Sequence, residues 1–197
     1  AAKENGWLLE RVEKPLLSGY RVSGRMMEGN WTLEALAKSS SNESGPGSSE
    51  VSKTSEWLTT DLKNEKGTFV FGPAMGPVSR MSNSALGSTI IQMALRIMIG
   101  KDAEWVNKLS QVDISHTTLG KKFLAFTDNE KDITQLITPA VEKAVINLPG
   151  KMEPIIIWNQ SGLAIKVINQ NYENPEVWKA LIEFGKTLLR EWSRIDQ

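Results

Sequence analysis

The chain has 197 residues, with no cysteine, one histidine, and 23 basic against 23 acidic side chains. Without cysteine it forms no disulfide framework and no zinc–thiolate site, and a single histidine excludes metal sites that use several histidines. The balanced charge lacks the basic excess that nucleic acids and anionic membranes attract, so we expect no nucleic-acid partner.

The first elements predicted along the chain are a short helix and a β-hairpin. Apolar residues around Trp7 stand at mixed spacings before Pro15, which favours a short helix that ends at the proline. Apolar and polar residues then alternate over residues 20–26 and again over residues 31–37. This period of two predicts two strands of a hairpin, with one face in a core and the other in water.

Residues 39–55 are rich in serine and glycine and too polar to be buried. They predict a long mobile loop, either a functional flap or a disordered connection between strands, and we favour the connection. Two further strands are predicted over residues 54–60 and 67–71. Together with the hairpin they would form a four-stranded antiparallel meander.

Two helices are predicted in the middle of the chain, after the glycine- and proline-rich residues 72–77. Ser82 or Ser84 can cap a helix with a continuous apolar stripe, and Gly100 ends it. Asp102 can cap a shorter helix that carries Trp105. These two elements would form a central helical pair.

The C-terminal part alternates strands and helices. A strand is predicted over residues 122–127, followed by helical residues from about Asn129 and a second helical start at Thr138, where a capping residue precedes a proline. Residues 154–158 and 163–168 predict a hairpin with a four-residue loop, and Asn174 caps the last helix in the same way as Thr138.

The order of these elements predicts an α+β fold. It consists of an N-terminal antiparallel β-meander, a central helical pair and a C-terminal β-α-β-β-α unit. We expect residues 1–197 to form a single α+β unit, or two packed halves in which residues 1–76 are mostly β and residues 77–197 are α+β.

The most apolar stretch, residues 90–99, is interrupted by Gln92 and Arg96 and is far shorter than the roughly 20 residues that cross a bilayer. We therefore expect no membrane span in this chain. Because the chain begins at Ala1 without methionine, an upstream signal or membrane anchor is a further expectation. The compartment is not decided, and a cytoplasmic protein and a membrane-tethered soluble domain are the two expected settings.

Motifs for nucleotide or metal binding fail on inspection. Residues 72–77 follow a strand and contain two glycines, but they lack the spacing of a phosphate-binding loop, and their two prolines remove N–H donors. Asp128, Glu130 and Asp132 resemble the start of a calcium loop, but Ile133 occupies the position where that loop needs glycine. We interpret these acids as helix-capping residues and expect no cofactor and no metal site.

His116 is the only imidazole, and Asp113 and Ser115 stand beside it in sequence. Neighbouring residues of an extended segment point to opposite faces, so Ser115 and His116 do not face each other as nucleophile and base. A surface or capping role is the simpler interpretation, and no catalytic residue is assigned. His116 is kept as a candidate ligand-binding residue.

Seven tryptophans are the most unusual feature of the composition. Those at positions 105, 158, 178 and 192 lie in apolar patterns that explain them as core residues. Trp31 and Trp57 belong to the predicted meander, where they could form the floor of a cleft beside the serine-rich loop. Trp31, Trp57 and His116 are thus the candidate ligand-binding residues.

Four segments together resemble a family of bacterial α+β domains of uncharacterised function that are often found behind membrane-spanning helices. The segments are residues 24–37, residues 54–57, residues 123–128 and residues 136–139. The resemblance implies no activity and no catalytic residues. It does imply a membrane anchor outside this chain.

The absence of a catalytic pattern favours a non-enzymatic binding or interaction module, with a protein or a small molecule as its partner. Two alternatives remain. One is a hydrolase with a carboxylate-based site, which would require acids with raised pKa values to converge. The other is a carrier that holds an apolar ligand between sheet and helices.

Overall fold

The computed structural model describes residues 5–41, 49–74, 96, 99, 104–129, 133–149, 152–168 and 172–194. Its strands are β1 (Leu8–Lys14), β2 (Leu17–Arg25), β3 (Asn30–Ser41), β4 (Ser49–Thr59), β5 (Phe69–Pro73), β6 (Ser110–Val112), β7 (Phe123–Thr127), β8 (Ile155–Asn159) and β9 (Gly162–Ile168). Its helices are α1 (Pro139–Ile146) and α2 (Pro175–Trp192), with a 3-10 helix at Glu104–Lys108 and one helical turn at Ile133–Leu136.

The nine strands form one antiparallel sheet in the order β1-β2-β3-β4-β9-β8-β5-β7-β6. The α+β class predicted from the sequence is confirmed, and the sheet dominates it. The predicted meander is wrong in one respect, because the β8-β9 hairpin lies between β4 and β5. Strands from residues 1–76 and from residues 77–197 therefore lie side by side.

The N-terminal segment is a strand, so the predicted short helix is wrong. β1 pairs with β2 along its whole length, from Leu8 opposite Ser23 to Lys14 opposite Leu17. Pro15 belongs to the two-residue turn between the strands, and the next residue, Leu16, has a φ of 62°. A proline followed by a residue with positive φ is the arrangement of a type II turn, so this proline starts a hairpin turn and does not end a helix.

The serine-rich segment is strand at both ends. β3 continues to Ser41 and β4 starts at Ser49, and these two residues are paired. Strand pairing uses backbone N–H and C=O groups, which serine supplies as well as any other residue, so the polar composition did not mark the ends of the strands. The predicted loop over residues 39–55 is thus wrong for residues 39–41 and 49–55, and residues 42–48 lie outside the described part.

Both predicted cap-then-proline helix starts are confirmed. Thr138 accepts a hydrogen bond from the N–H of Val141, and Asn174 accepts one from the N–H of Glu176. The hairpin loop between β8 and β9 has two residues and not the predicted four, since Asn159 is paired with Gly162.

The predicted central helical pair lies mostly outside the described residues. The capping residues of both helices lie outside the described residues, and Arg96 and Ile99 are the described residues of the first helix. Trp105 lies in the 3-10 helix Glu104–Lys108, and Val106 of that helix is buried.

Helix α2 covers one face of the sheet, which we call the inner face; the opposite one is the outer face. Its buried residues recur with helical spacing and are Val177, Leu181, Ile182, Phe184, Gly185, Leu188, Leu189 and Trp192. Each central strand contributes alternate residues to the core under α2, as Trp31 and Leu33 do from β3. A second, smaller apolar cluster around Val70, Val106 and Phe126 lies on the outer face of β8, β5 and β7.

Candidate functional site

A row of charged side chains crosses five strands on the outer face. Each member lies opposite the next in the strand register, and the row consists of Glu10 on β1, Arg21 on β2, Glu34 on β3, Glu56 on β4 and Lys166 on β9. Each charged residue sits beside an inner-face residue, as Glu34 does beside the buried Leu33 and Glu56 beside the buried Trp57. The period of two along each strand therefore directs the charges to the outer face. We call this set the charged row.

Arg21 neutralises one end of the charged row. Its Nε and Nη2 atoms both donate to Oε1 of Glu34, at 2.8 and 2.6 Å, and its Nη1 lies 3.8 Å from Oε2 of Glu10. The Oε2 atom of Glu34 accepts no hydrogen bond from another described residue. Glu34 is thus held in place through one carboxylate oxygen, while the other is available to a partner.

Glu56 is the member of the charged row that lacks a bonded partner. No hydrogen bond or ion pair joins its carboxylate to another residue in the described part of the chain. Partial burial raises the pKa of Glu56 above its ordinary value, Lys166 lowers it in part, and the like charge of Glu34 raises it further. Two acids thus lie side by side; Glu34 is in an ion pair with Arg21, whereas Lys166 attracts the Glu56 carboxylate from the neighbouring strand without bonding to it.

Trp31 and Trp57 lie on the inner face, on neighbouring strands, with side chains 2% and 0% exposed. The structure brings these two candidates into the same part of the core, beneath α2. A Cβ atom built on Gly185 would lie 2.3 Å from Cδ2 of Trp57, so the helix backbone rests directly on that indole. This contact leaves no space for a ligand between Trp57 and Gly185.

The indole nitrogens of Trp31 and Trp57 differ from those of other buried tryptophans. Trp158 and Trp192 donate to backbone carbonyls at 3.2 and 2.9 Å. The Nε1 atoms of Trp31 and Trp57, and the buried hydroxyl of Ser55, have no hydrogen-bond partner among the described residues. Three unpaired polar atoms therefore lie on the inner face of β3 and β4.

Trp31 is closed off from solvent by two other side chains. The ring of Trp7 meets it edge-on, with centroids 5.7 Å apart, and the Lys186 ammonium lies 5.9 Å from its ring centroid. Lys186 also lies 5.3 Å from the ring centroid of Trp7. These contacts cover the end of the inner face near β1 and β2.

His116 is exposed in the loop between β6 and β7, far along the sheet from the two tryptophans, since four strands separate β3 from β7. Asp113 does not orient it. Its Oδ1 atom accepts the N–H of Ser115 at 2.8 Å, and this hydrogen bond holds the pKa of Asp113 below its ordinary value. The carboxylate therefore stabilises its own turn.

The acids after β7 do not form a helix cap in the described part of the chain. Asp128 accepts the N–H of Thr68 at 2.6 Å and ties the end of β7 to the start of β5. The predicted helix start at residues 130–132 lies outside the described residues, so the role of Asp128 as a capping residue stays a prediction. Glu130 and Asp132 lie outside the described residues. Within the described residues, no group of three His, Cys, Asp or Glu side chains could hold a metal ion.

Comparison of the chain with protein-family models, curated proteins and solved structures finds no match. Among the residues described, no helix has both the length and the apolar character needed to cross a membrane.

Proposed function

We propose that the chain is a non-enzymatic binding module, and that a protein partner docks on the outer face at the charged row. The observation that supports this most is Glu56, a partly buried carboxylate that lies opposite Glu34 and lacks a bonded partner among the described residues. A carboxylate in this position is stabilised by a cation that approaches from outside the chain.

A lysine or arginine of the partner fits this position best. Its donors could reach both the Glu56 carboxylate and Oε2 of Glu34, which is available because Arg21 occupies Oε1. Leu36 and Leu58 lie half-buried on the same face and would supply apolar contact next to the ionic one. In this proposal the chain belongs to the bacterial α+β domains that it resembles, whose membrane helices would hold this surface near a bilayer.

A hydrolase with a carboxylate-based site is the second candidate, and the raised pKa of Glu56 favours it. Its weakness is the geometry of the two acids. Residues directly opposite on antiparallel strands have Cβ atoms about 5 Å apart on one face, so both side chains lie on the same side of anything bound there. Glycosidase carboxyl groups instead flank the bond that is broken.

The carrier of an apolar ligand is less well supported. It requires space between the sheet and α2, and the backbone of α2 is in contact with the indole of Trp57 at Gly185. Only the unpaired indole nitrogens of Trp31 and Trp57 favour it.

Two experiments separate these functions. In the first, the purified chain is incubated with a panel of ester, phosphate and glycoside substrates, beside Glu34→Gln, Glu56→Gln, His116→Ala and Asp128→Asn. We expect no turnover by any of them. Turnover that is lost in one of these variants would overturn the proposal in favour of the hydrolase.

In the second experiment the chain is immobilised and probed with peptides that carry a single arginine or lysine. We expect retention by the original chain, at least about tenfold weaker retention by Glu56→Lys, and no change in Glu65→Lys. Glu65 is the matched control because it is an exposed glutamate in the turn before β5. Equal retention by all three chains would contradict the assignment of Glu56.

A further inference from the structure

β1 lies at one end of the sheet, and no other described strand pairs with its outer edge. The strand alternates acidic and basic residues, Glu10, Arg11, Glu13 and Lys14. Leucines stand near its two ends: Leu8 is 59% exposed, and Leu16, in the turn after β1, is 58% exposed. Leu9 is also exposed, at 47%. An edge with exposed leucines, and with backbone groups that no described strand pairs, is a place where another strand can add.

The hairpin turn determines which backbone groups of β1 point outward. The turn has two residues and closes on the pair of Lys14 with Leu17, which is a hydrogen-bonded pair in such a hairpin. Even-numbered residues of β1 therefore bond to β2. The N–H and C=O groups of Leu9, Arg11 and Glu13 point away from the sheet, and no strand in the described part of the chain pairs with them.

We propose that the new strand is β1 of a second copy of this chain, antiparallel to the first, with the two-fold axis at Val12. In this register Arg11 lies opposite Glu13 of the second copy, and Glu10 lies opposite its Lys14. Every charged residue of the strand thus meets an opposite charge. Leu8 meets Leu16 of the second copy, so these two leucines, the most exposed of the hairpin, cover each other.

Charge complementarity selects this register. Only outward-pointing groups can pair, so the second strand can shift only in steps of two residues. Each such step moves the two-fold axis by one residue. An axis at Arg11 places this arginine opposite its own copy, and an axis at Glu13 does the same for the glutamate. Like charges directly opposite are destabilising, so the register at Val12 is favoured over both neighbours.

Two observations on the single chain agree with this arrangement. Arg11 Nη2 already lies 2.6 Å from Glu13 Oε1 on the same face of β1, so the dimer would join two such ion pairs into a cluster of four charges. On the outer face, Glu10 would lie between Arg21 and Lys14 of the second copy, which extends the charged row across the interface. The dimer does not depend on a partner at Glu56.

The mass in solution tests the proposal, measured by light scattering after size exclusion over a range of concentrations. We expect a species of about twice the chain mass of 21.9 kDa. Arg11→Glu should weaken the dimer at least about tenfold, because it places like charges opposite each other at two symmetric positions. The double variant Arg11→Glu/Glu13→Arg should restore it, since residue 11 again meets an opposite charge.

Cross-linking tests the register separately, because the chain has no cysteine of its own. At the two-fold axis the Cα atoms of a non-hydrogen-bonded pair are about 4.5 Å apart, which a disulfide can bridge. Val12→Cys should form a disulfide-linked dimer on mild oxidation, and Glu10→Cys should not. The dimer should persist in Glu56→Lys, which separates this proposal from the proposed function.

Three results would overturn the dimer. They are a monomer at every concentration, a dimer that Arg11→Glu leaves unchanged, and cross-linking of Glu10→Cys in place of Val12→Cys. Circular dichroism of each variant shows whether the fold is kept.

Discussion

The two ends of the sheet differ on the outer face. One row of paired residues runs through Phe126, Val70 and Ile157 on β7, β5 and β8, and these side chains belong to or pack against the second apolar cluster. The same row continues through Leu58 and Thr32 on β4 and β3, which are only half-buried. One sheet thus has a two-sided core at one end and a one-sided core at the other.

This difference explains the two kinds of strand sequence. Strands covered on both faces have continuous apolar runs, as in β5, where Phe69, Val70 and Phe71 are all buried. Strands covered on one face alternate, as β3 does between the buried Trp31 and Leu33 and the half-exposed Thr32 and Glu34. Alternation therefore marks the part of the sheet whose outer face can meet a partner.

The largest predicted effect is a loss of folding free energy, which should differ between the two ends of the outer face. Phe126→Ala should destabilise the protein by roughly 3–5 kcal/mol, because the phenylalanine is buried in the second apolar cluster. Leu36→Ala, on the outer face of β3, should cost about 1 kcal/mol, because its side chain is already partly in water. Urea unfolding of both variants measures the two free energies.

Equal losses in these two variants would show that the outer face of β3 is as well covered as that of β7. Thr60→Ala is a suitable control for the measurement. Thr60 is exposed just after β4, and its substitution should change the free energy of unfolding by less than about 0.5 kcal/mol.

The one-sided strands and the helix starts could be predicted from the sequence, because both signals are local. Alternation over residues 31–37 indicated a strand with one buried face, and the caps at Thr138 and Asn174 indicated helix starts that the structure has. The order of strands could not be predicted, since the β8-β9 hairpin enters between β4 and β5 from about a hundred residues away. No local pattern reports such a long-range pairing.

The candidate site was predictable only in part, for the same reason. The period of two directs Glu34 away from Leu33, toward the outer face. That Glu56 lies opposite Glu34 depends on the register of β3 and β4, and that Lys166 lies opposite Glu56 depends on the pairing of β4 with β9, which is distant from it in sequence. Trp31 and Trp57 lie in the interior, in agreement with the alternation that places Trp31 on the buried face of its strand, and their number alone did not indicate a binding surface.

The next effect concerns the inner face, where α2 rests on the sheet. Gly185→Ala should destabilise the protein by about 1–3 kcal/mol, because the new methyl group would overlap the ring of Trp57 and force the helix or the indole to move. Thermal unfolding followed by circular dichroism measures the loss.

A double variant shows whether this contact is the cause. In Trp57→Phe/Gly185→Ala the smaller ring leaves room for the methyl group, so the combined loss should be smaller than the sum of the two single losses. Strict additivity would indicate that Gly185 is needed for another reason.

The smallest effect returns to the outer face and depends on pH. Because the pKa of Glu56 is raised in the folded protein, the folded state binds its proton more tightly than the unfolded state does. The stability that this proton contributes is present below the ordinary glutamate pKa of about 4.3 and is lost as the pH rises through the raised value. Glu56→Gln stays neutral, so it should unfold at a higher temperature than the original chain at pH 7, with no gain at pH 4.

Glu65→Gln, at an exposed position, should show no such difference. A lower unfolding temperature for Glu56→Gln at pH 7 would mean that attraction to Lys166 outweighs the cost of burying the carboxylate.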